Sequence, residues 1–428
     1  VTEASARATW LRHAVGWPFV GKRPELLGVA VSGGSDSMAL LDLMIWIGRD
    51  QGFEVRAVTV DHGLRAEASD EAAQVAAYCR DQGVGHDVLV WNGWDKRGNL
   101  QAKARKARYG LISQWAERLG VDIVALGHTR DDQAETVVMR LARASGVDGL
   151  AAMPERFVRD GLAFVRPLLR VQREVLRDYL RDRDVTWCED PSNEDDSFER
   201  VRARKAMAVL GGLGIDTDAL VTVADNARAA KWALDHYAWA EVVDHGLVRE
   251  IGGDIILPRG STAARVVPGE VVRRLTNAAA MWISGAAYPL RRETMINMEV
   301  AFIEASRHTA AGCVFSVVKA KEHGGKNLRI CREFNAVKGM ACPSDQPWDG
   351  RWTLDGPHEP GLEIRALGEA VKDCPEWRET GMPRLSLLAS PAVWRGDELV
   401  AAPVAGFGNG WTAEATGRGN FAKFLLSR

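Results

Sequence analysis

From residue 27 to residue 145, short β-branched runs alternate with amphipathic helical patterns, which is the signature of a parallel sheet covered on both faces by helices. Strands are read at Leu27–Val31, Glu54–Val60, Asp87–Val90 and Asp122–Leu126. Helices are read at Met38–Ile47, at Ser69–Gln82 with Gly83 as its stop, and at Leu100–Leu119 with Gly120 as its stop. Sheets of this kind bind ligands beyond the carboxyl ends of their strands. The segments 32–37, 61–65 and 127–132 all occupy such ends, so they are expected to converge on one crevice.

The first strand-to-helix junction reads Val29-Ala-Val-Ser-Gly-Gly-Ser-Asp-Ser37. Gly33 and Gly34 carry no side chain to block an anion, and Ser32, Ser35 and Ser37 offer hydroxyls. The N–H groups at the helix start add partial positive charge, so the segment is read as a phosphate cradle. No lysine follows the second glycine and G-x-G-x-x-G is absent here, which excludes the two commoner phosphate loops. A carboxylate at Asp36 would be repelled by phosphate oxygens unless a divalent cation lay between them, which implies magnesium. Asp36 and Ser37 as plain helix caps are the alternative, but capping leaves the two glycines unexplained.

The chain has 428 residues, enough for two or three domains with cores of their own. The expected division is a catalytic domain at 1–212, a mainly helical middle domain at 213–339 with helices near Thr217–Val243 and Pro268–Trp282, and a small β-rich domain at 340–428. Strands at Glu363–Arg365 and Glu398–Ala401 are read in the last. A formal net charge of −2 gives no sign of a bulk nucleic-acid binder, although local basic patches can act under such a total. Six cysteines lack any CxxC or CxxH spacing, and no stretch reads as a signal peptide or membrane span. A cytoplasmic protein with reduced thiols, no structural zinc and no membrane partner is expected.

The second strong motif is Gly127-His-Thr-Arg-Asp-Asp-Gln-Ala-Glu-Thr136, where the fourth strand runs into a helix. Asp132 and Glu135, three apart, share a helix face with His128 near its start, and two carboxylates there can hold an ammonium group. A capping box of Thr129 with Asp132 is the alternative reading of the same residues. Asp61-His-Gly-Leu-Arg65 ends the second strand and could be only a turn. Arg105 and Arg108 face one way on the helix that also carries Tyr109, as a site or as a solvated basic face. Glu189 opens a turn-rich acidic loop that runs into alternating Arg200, Arg202 and Arg204, which could equally be a solvated helix end.

The pattern SGGxDS resembles the loop of the N-type ATP-pyrophosphatases (PP-loop proteins), and the decapeptide at 127–136 closely matches the tRNA(Ile)-lysidine synthetases among them. The segments at 61–65, 99–109 and 189–204 are similar to that family's remaining motifs, in the same chain order. In the last of these the family usually has asparagine and a bulky aliphatic where this chain has Val201 and Ala203. The resemblance is strong over about 25–205 and implies a Rossmann-like, adenine nucleotide alpha hydrolase-like catalytic domain. It further implies ligation of L-lysine to carbon 2 of the wobble cytidine of a tRNA(Ile) with a CAU anticodon, with ATP split to AMP and pyrophosphate through an adenylated cytidine.

Carried onto this sequence, the resemblance places ATP over Ser32, Gly33, Gly34, Ser35, Asp36 and Ser37 with Asp61 and His62, and magnesium on Asp36. It gives lysine recognition to Asp132 and Glu135, and catalytic roles to Asp36, His128, Arg105 and Arg108. His128 is left as proton acceptor or phosphate contact, and Arg200, Arg202 and Arg204 as contacts to phosphate or tRNA. The later regions are expected to grip tRNA, with Lys319, Lys321, Lys326, Arg329 and Arg332 available for phosphates. The tryptophans at 282, 348, 352, 377, 394 and 411 are read as core rather than base platforms. A homodimer is an open alternative. The competing functions are a PP-loop ligase making an amide on a small carboxylic acid, and an ATP sensor without turnover.

Overall fold

The computed structural model describes residues 2–16, 23–63, 68–94, 98, 100–189, 197–246, 248–259, 267–319, 326–415 and 417–426. Tertiary contacts divide the chain into two compact units, Val1–Lys231 and Trp232–Arg428.

The first unit follows the alternation. Its elements are α1 (Glu3–Gly16), β1 (Leu26–Ala30), α2 (Ser35–Gln51), β2 (Glu54–Asp61), α3 (Ala68–Asp81), β3 (Gly85–Val90), α4 (Leu100–Leu119) and β4 (Ile123–Leu126). They continue with α5 (Arg130–Leu141), α6 (Val147–Leu150), β5 (Arg156–Arg159), β6 (Leu162–Val165), α7 (Arg173–Asp182), α8 (Glu199–Gly211) and α9 (Thr217–Val243), whose length carries the boundary between the units. The sheet order is β3-β2-β1-β4-β6-β5, parallel except for the hairpin of β5 with β6. β1 and β4 are continuous buried runs, as a sheet covered on both faces requires. One face packs α1, α2, α3 and α7 into a core around Leu40, Leu43, Val75 and Leu176; the other packs α4 through Tyr109, Ile112 and Trp115.

Strand order reverses between β1 and β4, since β2 and β3 lie to one side of β1 while β4 and β6 lie to the other. The helices that follow β1 and β4 part there, which opens a crevice at the carboxyl ends of both strands. α2 and α5 begin at this crevice; α5 begins directly after the Thr129 cap read from the sequence, while α2 begins at Ser35, three residues before the Met38 expected.

The second unit holds helices and more strands than the sequence suggested. A five-stranded sheet, built from β7 (Arg249–Ile251), β8 (Asp254–Arg259), β9 (His308–Ala310), β10 (Cys313–Lys319) and β11 (Lys326–Arg332), lies in the region expected to be mainly helical. It packs with α10 (Gly269–Ser284) and α11 (Arg292–Ile303) around Leu275, Trp282, Phe315 and Ile330, and the terminal helix Phe421–Leu426 returns to this core. A four-stranded sheet of Ala341–Pro343, Leu362–Ala366, Pro391–Arg395 and Glu398–Ala401 surrounds a second core with Trp348, Trp352 and Trp411. The compact division therefore falls at 231/232 rather than 212/213, and 339/340 lies inside the second unit. Buried contacts tie the unit across that point: Arg332 to Asp349 at 2.9 Å, and Arg351 to the Gly253 carbonyl at 3.0 Å; on the near side Arg329 lies 3.4 Å from Asp254. The two cores keep a three-part organisation as our proposed description.

These pairs correct one expectation. Arg329 and Arg332 are buried and committed to carboxylates, so they do not face phosphates; Lys319 and Lys326, paired opposite each other at the end of the β10–β11 hairpin, are exposed. Lys321 lies outside the described residues. Trp282, Trp348, Trp352 and Trp411 are all buried, and Trp377 and Trp394 pack against a third core.

Candidate active site

The loop after β1 is shaped by its own side chains. Gly33 has φ +88°, a left-handed conformation that favours glycine, and its carbonyl accepts from the Cys188 N–H at 2.9 Å. Ser37 Oγ accepts from the Ser32 N–H at 3.1 Å and donates to the Gly34 carbonyl at 3.0 Å, so this hydroxyl folds the loop, while Ser32 stays exposed to the crevice. α2 begins after Gly34 with no side-chain cap, which leaves its first N–H groups for an incoming anion. Gly127, at the end of β4, comes so close that an added Cβ would stand 3.1 Å from Ser37 Cα and 3.2 Å from the Asp36 carbonyl carbon and oxygen. The two strand ends are thus pressed together by a missing side chain.

α5 starts on a complete capping box. Thr129 N–H donates to Asp132 Oδ2 at 2.8 Å, and the Asp132 N–H donates to Thr129 Oγ1 at 3.4 Å. The capping reading of Asp132 is therefore correct for one carboxylate oxygen. The other, Oδ1, faces Arg200 Nη1 at 2.8 Å and Arg173 Nη2 at 3.6 Å. Glu135, only 1% exposed, pairs through Oε1 with Arg204 Nε at 2.7 Å and lies 3.7 Å from Arg173 Nη1. Its Oε2 is buried with no hydrogen-bond partner among the described residues. Asp36 Oδ2 accepts from Arg173 Nε at 2.9 Å.

Burial raises the Asp36 and Glu135 carboxyls above their usual range, against the pull of Arg173 on the first and Arg204 on the second. Burial pushes Asp132 the same way, but Arg200, His128 and Arg173 bring it below its ordinary value. His128 is pushed down to about 3, by burial first and then by Arg166. Its Nδ1 accepts from Arg166 Nε at 3.3 Å, so the neutral ring carries its hydrogen on Nε2. With that tautomer Nε2 is a donor, which suits phosphate contact. Arg105 and Arg200 add to the field around His128.

Arg108 Nη2 lies 3.4 Å from His62 Nε2, joining α4 to the end of β2, and Arg105 sits over the Tyr109 ring at 5.3 Å. Asp61 accepts from the Gly63 N–H at 2.8 Å, the turn that the sequence allowed. Arg200 and Arg204, four apart on α8, meet Asp132 and Glu135, three apart on α5, so these arginines bind carboxylates here. Arg202 points away and donates to the Ser197 carbonyl at 3.1 Å. Most of the acidic loop (residues 190–196), with Arg65 and Asn99, lies outside the described residues.

The sequence reading gave no role to two arginines. Arg166 directly follows β6, at another strand end in the same sheet, and it donates to the Pro154 carbonyl at 2.6 Å. Burial, with Arg105 and Arg200 nearby, lowers its pKa to about 10. Arg173 opens α7, where the helix dipole disfavours a cation. A basic residue at that position was the available signal.

A phosphate loop at the switch point of a parallel sheet, with carboxylates one helix away, defines a PP-loop ATP-binding enzyme domain, and the PP-loop domain family model matches residues 11–210. A tRNA(Ile)-lysidine synthase from Ruegeria pomeroyi is 47% identical over 412 residues, covering 96% of each chain. Those from Rhizobium meliloti and Wolbachia pipientis wMel are 41% and 32% identical, over 77% and 76% of this chain and 73% and 76% of their own. The chain belongs to the tRNA(Ile)-lysidine synthase family. Among solved structures, the U34-tRNA thiolase NcsA from Methanococcus maripaludis aligns over 53% of this chain and 79% of its own, at 13% identity and a TM-score of 0.46.

Proposed function

We propose that this enzyme ligates L-lysine to carbon 2 of the wobble cytidine of a tRNA(Ile) with a CAU anticodon. ATP lies over residues 32–37, the cytidine carbonyl oxygen attacks the α-phosphorus, and pyrophosphate leaves. The lysine side-chain amine then attacks carbon 2, AMP departs, and the amine gives up its proton. The observation that carries this reading is the carboxylate pair beside the phosphate loop, in which the buried Glu135 Oε2 has no hydrogen-bond partner among the described residues. A buried acceptor left without a donor costs about 1–3 kcal/mol, and a substrate ammonium would satisfy it. An ATP sensor without turnover has no use for such an acceptor.

Arg105, Arg108, Arg166 and His128 Nε2–H supply donors for the phosphates, where charge accumulates as pyrophosphate leaves. Among the described residues no three His, Cys, Asp or Glu side chains gather as a metal cage. Asp36 is the residue that would hold magnesium, whose charge would offset that of the phosphates. The second unit is assigned to tRNA, with Lys319 and Lys326 as phosphate contacts. No helix among the described residues is long and apolar enough to cross a membrane, and ATP, free lysine and tRNA are all cytoplasmic substrates.

The test is incorporation of labelled L-lysine into acid-precipitable RNA, with an isoleucine tRNA transcript bearing CAU, ATP and magnesium, beside a transcript with another wobble base. The expected label requires ATP and the cytidine and survives mild alkali that strips aminoacyl esters. No label with intact RNA and protein would overturn the reading in favour of the small-acid ligase.

A further inference from the structure

One guanidinium lies among three carboxylates. Arg173 is 2.9 Å from Asp36, 3.6 Å from Asp132 and 3.7 Å from Glu135, and among the described residues it is the sole one paired with all three. Its backbone N–H donates to Asp131 Oδ2 at 2.7 Å, which fixes it at the head of α7. α7 is in turn locked to α2: the buried Asp42 accepts from Tyr179 and from Arg183, whose Nε lies 2.6 Å away, both on or beside α7. Asp42 is six residues beyond Asp36, and Tyr179 is six beyond Arg173, so the two helix heads are held together by a clamp at matching depth.

The charges in this cluster cancel. Asp36, Asp132 and Glu135 are met by Arg173, Arg200 and Arg204, so a lysine ammonium approaching the pair on α5 competes with cations the protein already supplies. The balance changes when a triphosphate lies on the loop at 32–37. Phosphate oxygens beside Asp36 are strong, bidentate partners for a guanidinium whose Nε is already at that carboxylate.

We propose that Arg173 is a positioning residue that couples the two small substrates: the nucleotide's phosphates draw its guanidinium off Asp132 and Glu135, which stay paired with Arg200 and Arg204 but lose one competing cation, so lysine binds there more tightly. The proposal rests on the lysine reading of the preceding section. Coupling of this kind is reciprocal, so lysine must tighten the nucleotide by the factor by which the nucleotide tightens lysine.

Calorimetry on the full chain tests it, with L-lysine titrated in the presence and absence of saturating magnesium α,β-methylene-ATP, and the analogue titrated with and without lysine. For the native protein both ratios of dissociation constants are expected to be equal, at about tenfold. In Arg173→Met the competitor is gone, so lysine alone binds about as tightly as it does to the native protein with analogue, and the ratio falls to about one. Arg173→Lys keeps the charge without the branched reach, so its ratio lies between the two. A native ratio of one, with lysine bound, overturns the coupling and leaves the lysine site standing. A ratio in either folded variant equal to the native one also overturns it. Binding of the analogue without any binding of lysine defeats the lysine reading and the coupling together. If Arg173→Met does not fold, the two native ratios and Arg173→Lys decide.

Discussion

Replacing Glu135 by glutamine separates lysine recognition from ATP binding in one side chain. The amide keeps the volume and can still accept from Arg204 Nε, now 2.7 Å from Oε1, so the α5–α8 contact survives. The charge is lost, and the second oxygen, which has no partner among the described residues, becomes an NH2 donor facing a cation. A hydrogen bond to a charged group contributes about 1.5–3 kcal/mol. At about 1.4 kcal/mol per tenfold, the lysine KM should rise by about ten- to a hundredfold. The ATP KM should move by less than about threefold, because among the described residues it is Arg173 that links Glu135 to the phosphate loop, and Asp36 holds it more closely at 2.9 Å than Glu135 does at 3.7 Å. Steady-state incorporation of labelled lysine, with each substrate varied at saturation of the other, reads both constants. Equal rises in the two, or a fall in kcat at unchanged lysine KM, would refute the assignment.

Three further outcomes are expected. Gly127→Ala places a methyl group 3.1–3.2 Å from the backbone of Asp36 and Ser37, so denaturant unfolding should show a loss of about 1–3 kcal/mol. Pyrophosphate release should also slow, as the loop is pushed from β4. His128 has a folded pKa held near 3, below an unfolded value of about 6.5, so the unfolded chain takes up a proton that the folded chain refuses. Stability should therefore fall as pH drops from about 6.5 toward 3, at up to about 1.4 kcal/mol per pH unit from this residue, and His128→Gln should remove that part of the slope in urea melts at pH 5 and 7. Charge reversal of the exposed Lys319 and Lys326 should leave the melting temperature unchanged, weaken tRNA binding and flatten its salt dependence by about one to two in log–log slope. Unchanged affinity would remove that hairpin from the tRNA surface.

How far the sequence could be read depended on where each interaction lives. Ser37 and Thr129 act through bonds to near neighbours in the chain, so loop shape and helix cap followed from spacing, and the alternation of strands and helices placed the crevice at the ends of β1 and β4. The sheet in the second unit was missed because β8 pairs with β11 across about seventy residues, and nothing in the spacing of either strand announces its partner. Arg329 and Arg332 were read as available for phosphates because nothing in their spacing announces Asp254, about seventy-five residues away, or Asp349, seventeen away, which bury with them. By itself the sequence determined the fold of the catalytic unit and the chemistry gathered at its strand ends. Only the tertiary structure decided the pairing within it: that Arg200 and Arg204 meet carboxylates, that Arg166 fixes the His128 tautomer, and that Arg173 lies among three acids. The physical reason is that a buried ion pair depends on two charges leaving water together, and only the folded chain determines which charges are close enough to share that loss.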